Sequence, residues 1–176
     1  MNKGFTLLEV LVTLSIVVIV ASLIFANYPK FKEGISLKKT SQEIALTIRE
    51  AQNYALSVKE FEGRYESYGA HFEILSPKSY IIFSDLNEDN EYDGPGEKVK
   101  EFVIQTNDKI TDLCGGYDAG YVCDPAYLDI IFTRPSPVVT LKSDIKDYSG
   151  VKIVITSPRG KEKSVIVWMS GQVSIE

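Results

Sequence analysis

The chain has 176 residues, 44% of them hydrophobic and 24% charged, with a formal net charge of -5. That length suits one ordinary domain plus one special segment, and the balance excludes wholesale disorder. The acidic excess argues against a surface built for nucleic acid.

The averages conceal an asymmetry, because nearly all of the first 26 residues are apolar and most of the charge follows them. The run Val10 to Ala26 reads VLVTLSIVVIVASLIFA, interrupted only by Thr13, Ser15 and Ser22. Counted from Phe5 to Ala26 and at ~1.5 Å rise per residue, a helix here covers roughly 33 Å, enough to cross a bilayer's hydrocarbon core. A cleaved secretory signal is the competing reading. It fits poorly, since Lys3 is the only basic residue before the run and Asn27-Tyr28-Pro29 is no small-x-small site. Glu9 is anomalous in this setting. A carboxylate inside an apolar helix costs ~2.5–3.5 kcal/mol on insertion scales, so it either snorkels from the helix end or has a cationic partner.

Pro29 predicts a kink or local melting over Ala26 to Lys30, and Gly34 adds a second weak point. Beyond it, Leu37, Ser41, Ile44, Ile48, Ala51, Ala55 and Val58 step by three or four residues along one helix face. Lys38, Lys39, Glu43, Arg49 and Glu50 fall mostly elsewhere, and the helix is expected to end by Gly63. Strands are expected at Tyr68–Ile74, Ser79–Phe83, Lys98–Ile104, Leu128–Phe132, Val138–Leu141, Val151–Ile155 and Val165–Met169. The separators are Ser76-Pro77, Asn90–Gly96, Gly115-Gly116, Pro135–Pro137, Pro158–Gly160 and Ser170-Gly171. One long helix followed by successive strands predicts an α+β protein in which an amphipathic helix half packs on an antiparallel β-sheet head. The divisions are 5–28 for the membrane-length apolar helix, 29–62 for its amphipathic continuation and 63–176 for the head.

Four groups of residues invite chemical readings. In Asp85 to Gly94, the oxygen-bearing side chains Asp85, Asn87, Asp89 and Asp93 have the alternate spacing of a Ca²⁺ loop. Asn90 stands where an EF-hand has glycine, and Glu97 lies one residue beyond the usual closing carboxylate, so a solvated turn is the alternative. Cys114 and Cys123 bracket a glycine-rich stretch and suit a disulfide in an exported head, with two free thiols the alternative. His71 is the only histidine and sits in a strand-like run, which excludes a multi-histidine zinc site. No G-x-S-x-G, Walker or dinucleotide glycine pattern is present, so enzymatic activity has no support. Arg159, Lys161 and Lys163 form a small basic tip, either a DNA-phosphate contact or a charged hairpin turn diluted by Glu162.

The opening Lys3-Gly4-Phe5-Thr6-Leu7-Leu8-Glu9 resembles the type III signal of type IV pilins and type II secretion pseudopilins. The resemblance implies that prepilin peptidase removes residues 1–4 by cutting between Gly4 and Phe5, and that the new amine of Phe5 is methylated. It places the family's assembly glutamate on Glu9, where a neighbouring subunit's Phe5 ammonium supplies the cation a buried carboxylate needs. It further implies an inner-membrane precursor with an extracytoplasmic head, lipid contact before assembly, an inner-membrane assembly platform and other subunits as partners. The end state is a type IV pilus or a type II secretion filament. Tyr80 to Asp85 followed by Asn87, Asp93, Gly94 and Glu97, with the closing Trp168 to Ile175, is similar to minor pilins and pseudopilins of the FimT and GspH type. A DNA-binding minor pilin of a competence pilus is the alternative, with nucleic acid as partner.

Overall fold

The computed structural model describes residues 4–117, 120–133 and 139–176. They form two units, Met1–Ile35 and Ser36–Glu176. Helix α1 (Leu7–Leu56) begins in the first and ends in the second. Thr6 caps it: its Oγ1 accepts the Glu9 N–H at 3.2 Å, and its carbonyl accepts the Val10 N–H at 3.2 Å. Thr6-Leu7-Leu8-Glu9 therefore has the S/T-x-x-E form of a capping box, with the acid in the first turn where the helix dipole favours it. The melting expected near Pro29 does not occur, since the helix runs through Pro29 and Gly34 unbroken. A proline removes one backbone bond, and propagation on either side holds the helical dihedrals across the gap.

The helix ends at Leu56, short of the expected 62. The Lys59 N–H bonds the Tyr54 carbonyl at 3.1 Å and the Val58 N–H bonds the Ala55 carbonyl at 3.4 Å, a Schellman closure. That closure needs a left-handed residue, and Val58 takes the role with φ 56°. The sequence pattern put Val58 on the packing face; in fact it lies past the last turn and is exposed.

The second unit has the expected α+β form, a helix packed on an antiparallel β head, and that head consists of two five-stranded sheets. The first comprises β1 (Ser67–Glu73), β2 (Ser79–Asp85), β3 (Lys98–Val103), β6 (Tyr127–Phe132) and β7 (Val139–Ser143), in the order β3-β2-β1-β6-β7. The second comprises β4 (Lys109–Tyr117), β5 (Gly120–Val122), β8 (Gly150–Thr156), β9 (Glu162–Trp168) and β10 (Val173–Ile175), in the order β10-β9-β8-β4-β5. The expected turn at Pro135–Pro137 and strand start at Val138 lie outside the described residues.

One core unites this unit. Leu37, Ile44, Ile48, Ala51 and Ala55 of α1 meet Tyr68, Phe72, Ile82 and Ile130 of the first sheet and Leu113, Ile153, Ile155 and Val167 of the second. The spacing of the helical positions is the 3.6-residue stripe the sequence shows, and the strand positions alternate as a pleat demands. At the start of the unit, buried Asp108 accepts hydroxyl bonds from Ser36, Thr40 and Thr106 at 2.7–2.9 Å, which ties the helix to the β3–β4 connection.

A β-branched residue held left-handed costs ~1–2 kcal/mol, and glycine gives part of that back through its looser unfolded state. Val58→Gly is therefore expected to raise stability by about 1 kcal/mol, read as a higher denaturation midpoint at unchanged m-value. A loss of stability would show that the Val58 side chain contributes packing that outweighs the strain.

Candidate functional site

At the N-terminus the Gly4–Phe5 bond lies just ahead of the first helical residue, Leu7. Gly4 has open space where a side chain would be, and Phe5 is 82% exposed. A non-helical, uncovered peptide bond is what a processing protease needs to hold in extended form. Lys3, part of the sequence signal, lies outside the described residues. Glu9 is exposed, one helical turn into the apolar run, and its backbone N–H is the one that Thr6 caps. The sequence reading overlooked this local role, although T-x-x-E spells it out.

Beyond Glu9 the helix presents apolar side chains on every face. Leu11, Val17, Val18, Leu23 and Ile24 are each about 60% exposed, and Phe25 and Phe31 more so. The most apolar window has a mean hydropathy of 2.8 and is 0% buried. Val20, Leu23, Ile24, Tyr28 and Phe31 line a shallow groove of about 570 Å³ along this surface. Thr13, Ser15 and Ser22 do not interrupt it, because each hydroxyl bonds a carbonyl of the preceding turn.

The acidic loop between β2 and β3 folds over the outer face of the first sheet. Asp129 of β6 anchors it: its Oδ2 accepts the Tyr92 N–H at 3.3 Å, and its Oδ1 meets His71 Nδ1 at 2.7 Å. The His71 ring lies 4.7 Å from that of Tyr92, and Tyr92 packs on Phe83 at 5.5 Å. His71 is thus a packing and anchoring residue of the sheet. Burial pushes the Asp129 carboxyl up, and the His71 contact pulls it back.

The four candidate calcium ligands part company here. Asn87 donates its amide to Asp89 at 2.9 Å and to Asp93 at 2.7 Å. Asp85 instead turns to the Asn90 N–H at 3.0 Å and is 1% exposed. Three carboxylate oxygens that could share a cation belong to Asp89, Glu91 and Asp93, within 4.8 Å of one another. Glu91 falls on the same alternate spacing, between Asp89 and Asp93, although the four expected ligands left it out. Glu97 closes the loop by accepting the Leu86 and Asp93 N–H groups, both at 3.0 Å. Lys142 pairs with Glu91 at 2.8 Å and donates to the Asp89 carbonyl at 2.8 Å. Amide and ammonium donors therefore point at the carboxylates that a cation would need to gather. To bind Ca²⁺, Asn87 would have to present its oxygen and Lys142 to release Glu91.

Cys114 and Cys123 are bonded across the β4–β5 hairpin. The glycines beside them serve close approach. A side chain at Gly115 would collide with the Tyr148 ring, and one at Gly116 would meet the Tyr121 ring at 2.8 Å. Arg159, Lys161 and Lys163 lie at the β8–β9 turn and the start of β9, with Glu162 among them.

The comparisons bear on the N-terminus alone. Residues 1–25 match the family model of the prokaryotic N-terminal methylation motif. This chain therefore carries the mark of the type IV pilin and pseudopilin family, a structural family. The motif implies processing by prepilin peptidase and assembly with other pilin subunits. No curated protein and no solved structure matches the chain.

Asp85 gives the loop a pH signature. Burial raises its carboxyl, the Asn90 amide lowers it, and Asp89 and Glu97 raise it further. The Glu88 amide adds a weaker pull without meeting hydrogen-bond geometry, and Oδ1 has no partner. A raised folded pKa means the folded chain binds this proton more tightly, so the contribution of Asp85 to stability falls as pH rises above 3.8. Asp85→Asn keeps an acceptor for Asn90 and removes the charge. It is expected to raise stability at pH 7 by on the order of 1 kcal/mol, with the gain fading toward pH 4. Urea melts of both proteins at the two pH values test this. Melts in EDTA, Ca²⁺ and Mg²⁺ should coincide for the self-bonded loop, whereas a Ca²⁺-specific rise would show that the loop reorganises around the ion.

Proposed function

We propose that this chain is a filament subunit, cleaved between Gly4 and Phe5, anchored by its apolar helix in the inner membrane with its head extracytoplasmic, and assembled through that helix. The observation that carries the reading is the apolar surface from Leu7 to Phe31, which is uncovered on all sides and directly follows the methylation motif. Water cannot hold such a surface, so lipid must cover it before assembly and the helices of other subunits after it. Extraction from the bilayer therefore needs an assembly platform that passes the helix from one apolar environment to the next. Minor pilin or pseudopilin is the subtype proposed, on the likeness of the β2 end, acidic loop and closing hairpin to the FimT and GspH type.

Glu9 supplies the register. Once the helix is surrounded by others, its carboxylate needs a cation, and cleavage creates an ammonium at Phe5 in the same layer. Pairing Glu9 with the Phe5 amine of the next subunit fixes the axial offset, because any slip leaves two buried charges unpaired. The S/T-x-x-E cap is compatible with this, since it uses the Glu9 backbone and leaves the carboxylate available.

Intact-mass analysis of filament protein should show a chain that begins at Phe5 and carries one added methyl; retention of residues 1–4 would overturn the processing step. Glu9→Val should insert into membranes at least as well as the parent, because a costly charge is gone. Its recovery in sheared filaments should fall at least tenfold. Recovery at parental level would overturn the pairing.

A further inference from the structure

Several aliphatic side chains of the Ser36–Glu176 unit lie outside its core; Leu46, Leu56 and Val122 are scattered among them, and three others gather at one place. Leu75 is 84% exposed in the β1–β2 turn, Val103 is 55% exposed at the end of β3, and Ile145 is 52% exposed beyond β7. The register sets all three at the same end of the first sheet. Val103 pairs with Ser79 at the start of β2, and Glu73 at the end of β1 pairs with Tyr127. Asp144, beside Ile145, accepts the Ala126 N–H, and the Ala126 carbonyl accepts the Ile74 N–H beside Leu75.

The chain enters the unit at this same end. Ser36 and Thr40 bond Asp108, and Lys78 bonds the carbonyl of neighbouring Thr106. Only residues 27–35 separate Ser36 from the apolar run that ends at Ala26. The second sheet brings cations here too. Lys109 opens β4 opposite Thr156, and Thr156 pairs with Glu162 across the turn that carries Arg159 and Lys161. Lys78, Lys109, Arg159 and Lys161 are all exposed. The opposite end is richer in carboxylates: Glu60, Glu62 and Glu66 precede β1, whose first residue pairs with Asp85, and Glu88 follows, against the cations Arg64 and Lys98.

Aliphatic groups with amines and a guanidinium around them match a phospholipid interface, which offers glycerol and upper acyl chain to the first and phosphate to the second. We propose that this end of the head docks on the anionic phospholipid surface of the membrane that carries the apolar helix. The proposal rests on the reading of that helix as a membrane anchor. Before assembly the docked end holds the head against the bilayer, and entry into a filament exchanges lipid phosphate for other surfaces.

The full chain, reconstituted in vesicles of phosphatidylcholine alone or with phosphatidylglycerol, provides the test. A nitroxide placed through Leu75→Cys reports on the docked end, and one through Gln172→Cys, at the far end of the second sheet, serves as control. In phosphatidylglycerol vesicles at low salt the Leu75 label should lose access to an aqueous nickel chelate by at least threefold relative to phosphatidylcholine. Salt at 0.5 M should restore access, and the Gln172 label should stay open throughout. Lys78→Glu with Lys109→Glu should restore it without salt, since each cation lost weakens partitioning onto the anionic surface by roughly fivefold. A Leu75 label equally open in all vesicles would overturn the proposal, as would equal shielding of both labels from copies packing together. Binding of short duplex DNA through the same lysines, with the label open on vesicles, would reassign the surface to nucleic acid and overturn it likewise. Flotation separates the two readings: protein that floats with phosphatidylglycerol vesicles at low salt while its Leu75 label stays open keeps the anchor and overturns the docking, whereas protein that does not float with any vesicle overturns the anchor.

Discussion

An apolar surface that nothing among the described residues covers governs this protein. From Leu7 to Phe31 the helix turns leucine, isoleucine, valine and phenylalanine outward on every side, and at ~25 cal/mol per Å² no arrangement leaves that area in water. The rest of the molecule accommodates it. The serine and threonine hydroxyls of the run are bonded to the helix's own carbonyls, so the stretch needs no polar partner of its own along its length. Glu9 is the exception, and in the proposed assembly its place four residues after Phe5 joins processing and charge pairing in one device.

The Ser36–Glu176 unit solves a different problem with the same helix. After Ser36 the all-round apolar pattern gives way to a stripe, and the stripe is buried between two sheets. A helix lodged in a shared core is a stiff handle on the head. The hydroxyl cluster on Asp108 fixes one end of it, and the Schellman closure at Val58 ends the other. Force or register delivered along the helix therefore reaches both sheets directly, without a flexible linker inside the unit.

The acidic loop shows how little a ligand pattern says before its donors are known. Oxygen atoms at alternate positions suit a calcium loop, but a carboxylate is satisfied equally by an N–H. Here Asn87, Lys142 and the backbone of residues 86, 90 and 93 supply donors where the pattern leaves room for a cation. The anchoring of that loop on Asp129 and His71 joins residues far apart in the chain, and no local spacing could have announced it.

The sequence by itself determined the long helix, its change from all-round apolar to striped, the N-terminal processing signal and most of the strands, because those features are periodic or contiguous. It located the helix end poorly, since a valine in a left-handed cap contradicts its own propensity and only the closure of the turn reveals it. It missed β4, where Lys109 to Tyr117 mixes charge with two glycines and gives no clean alternation. Those glycines are required by the approach of Tyr148 from the β7–β8 connection and of Tyr121 from β5. The tertiary structure alone decided that the strands divide into two sheets around one helix. That choice rests on pairings between residues such as Cys114 and Lys152, or His71 and Asp129, whose contact depends on the whole chain being folded.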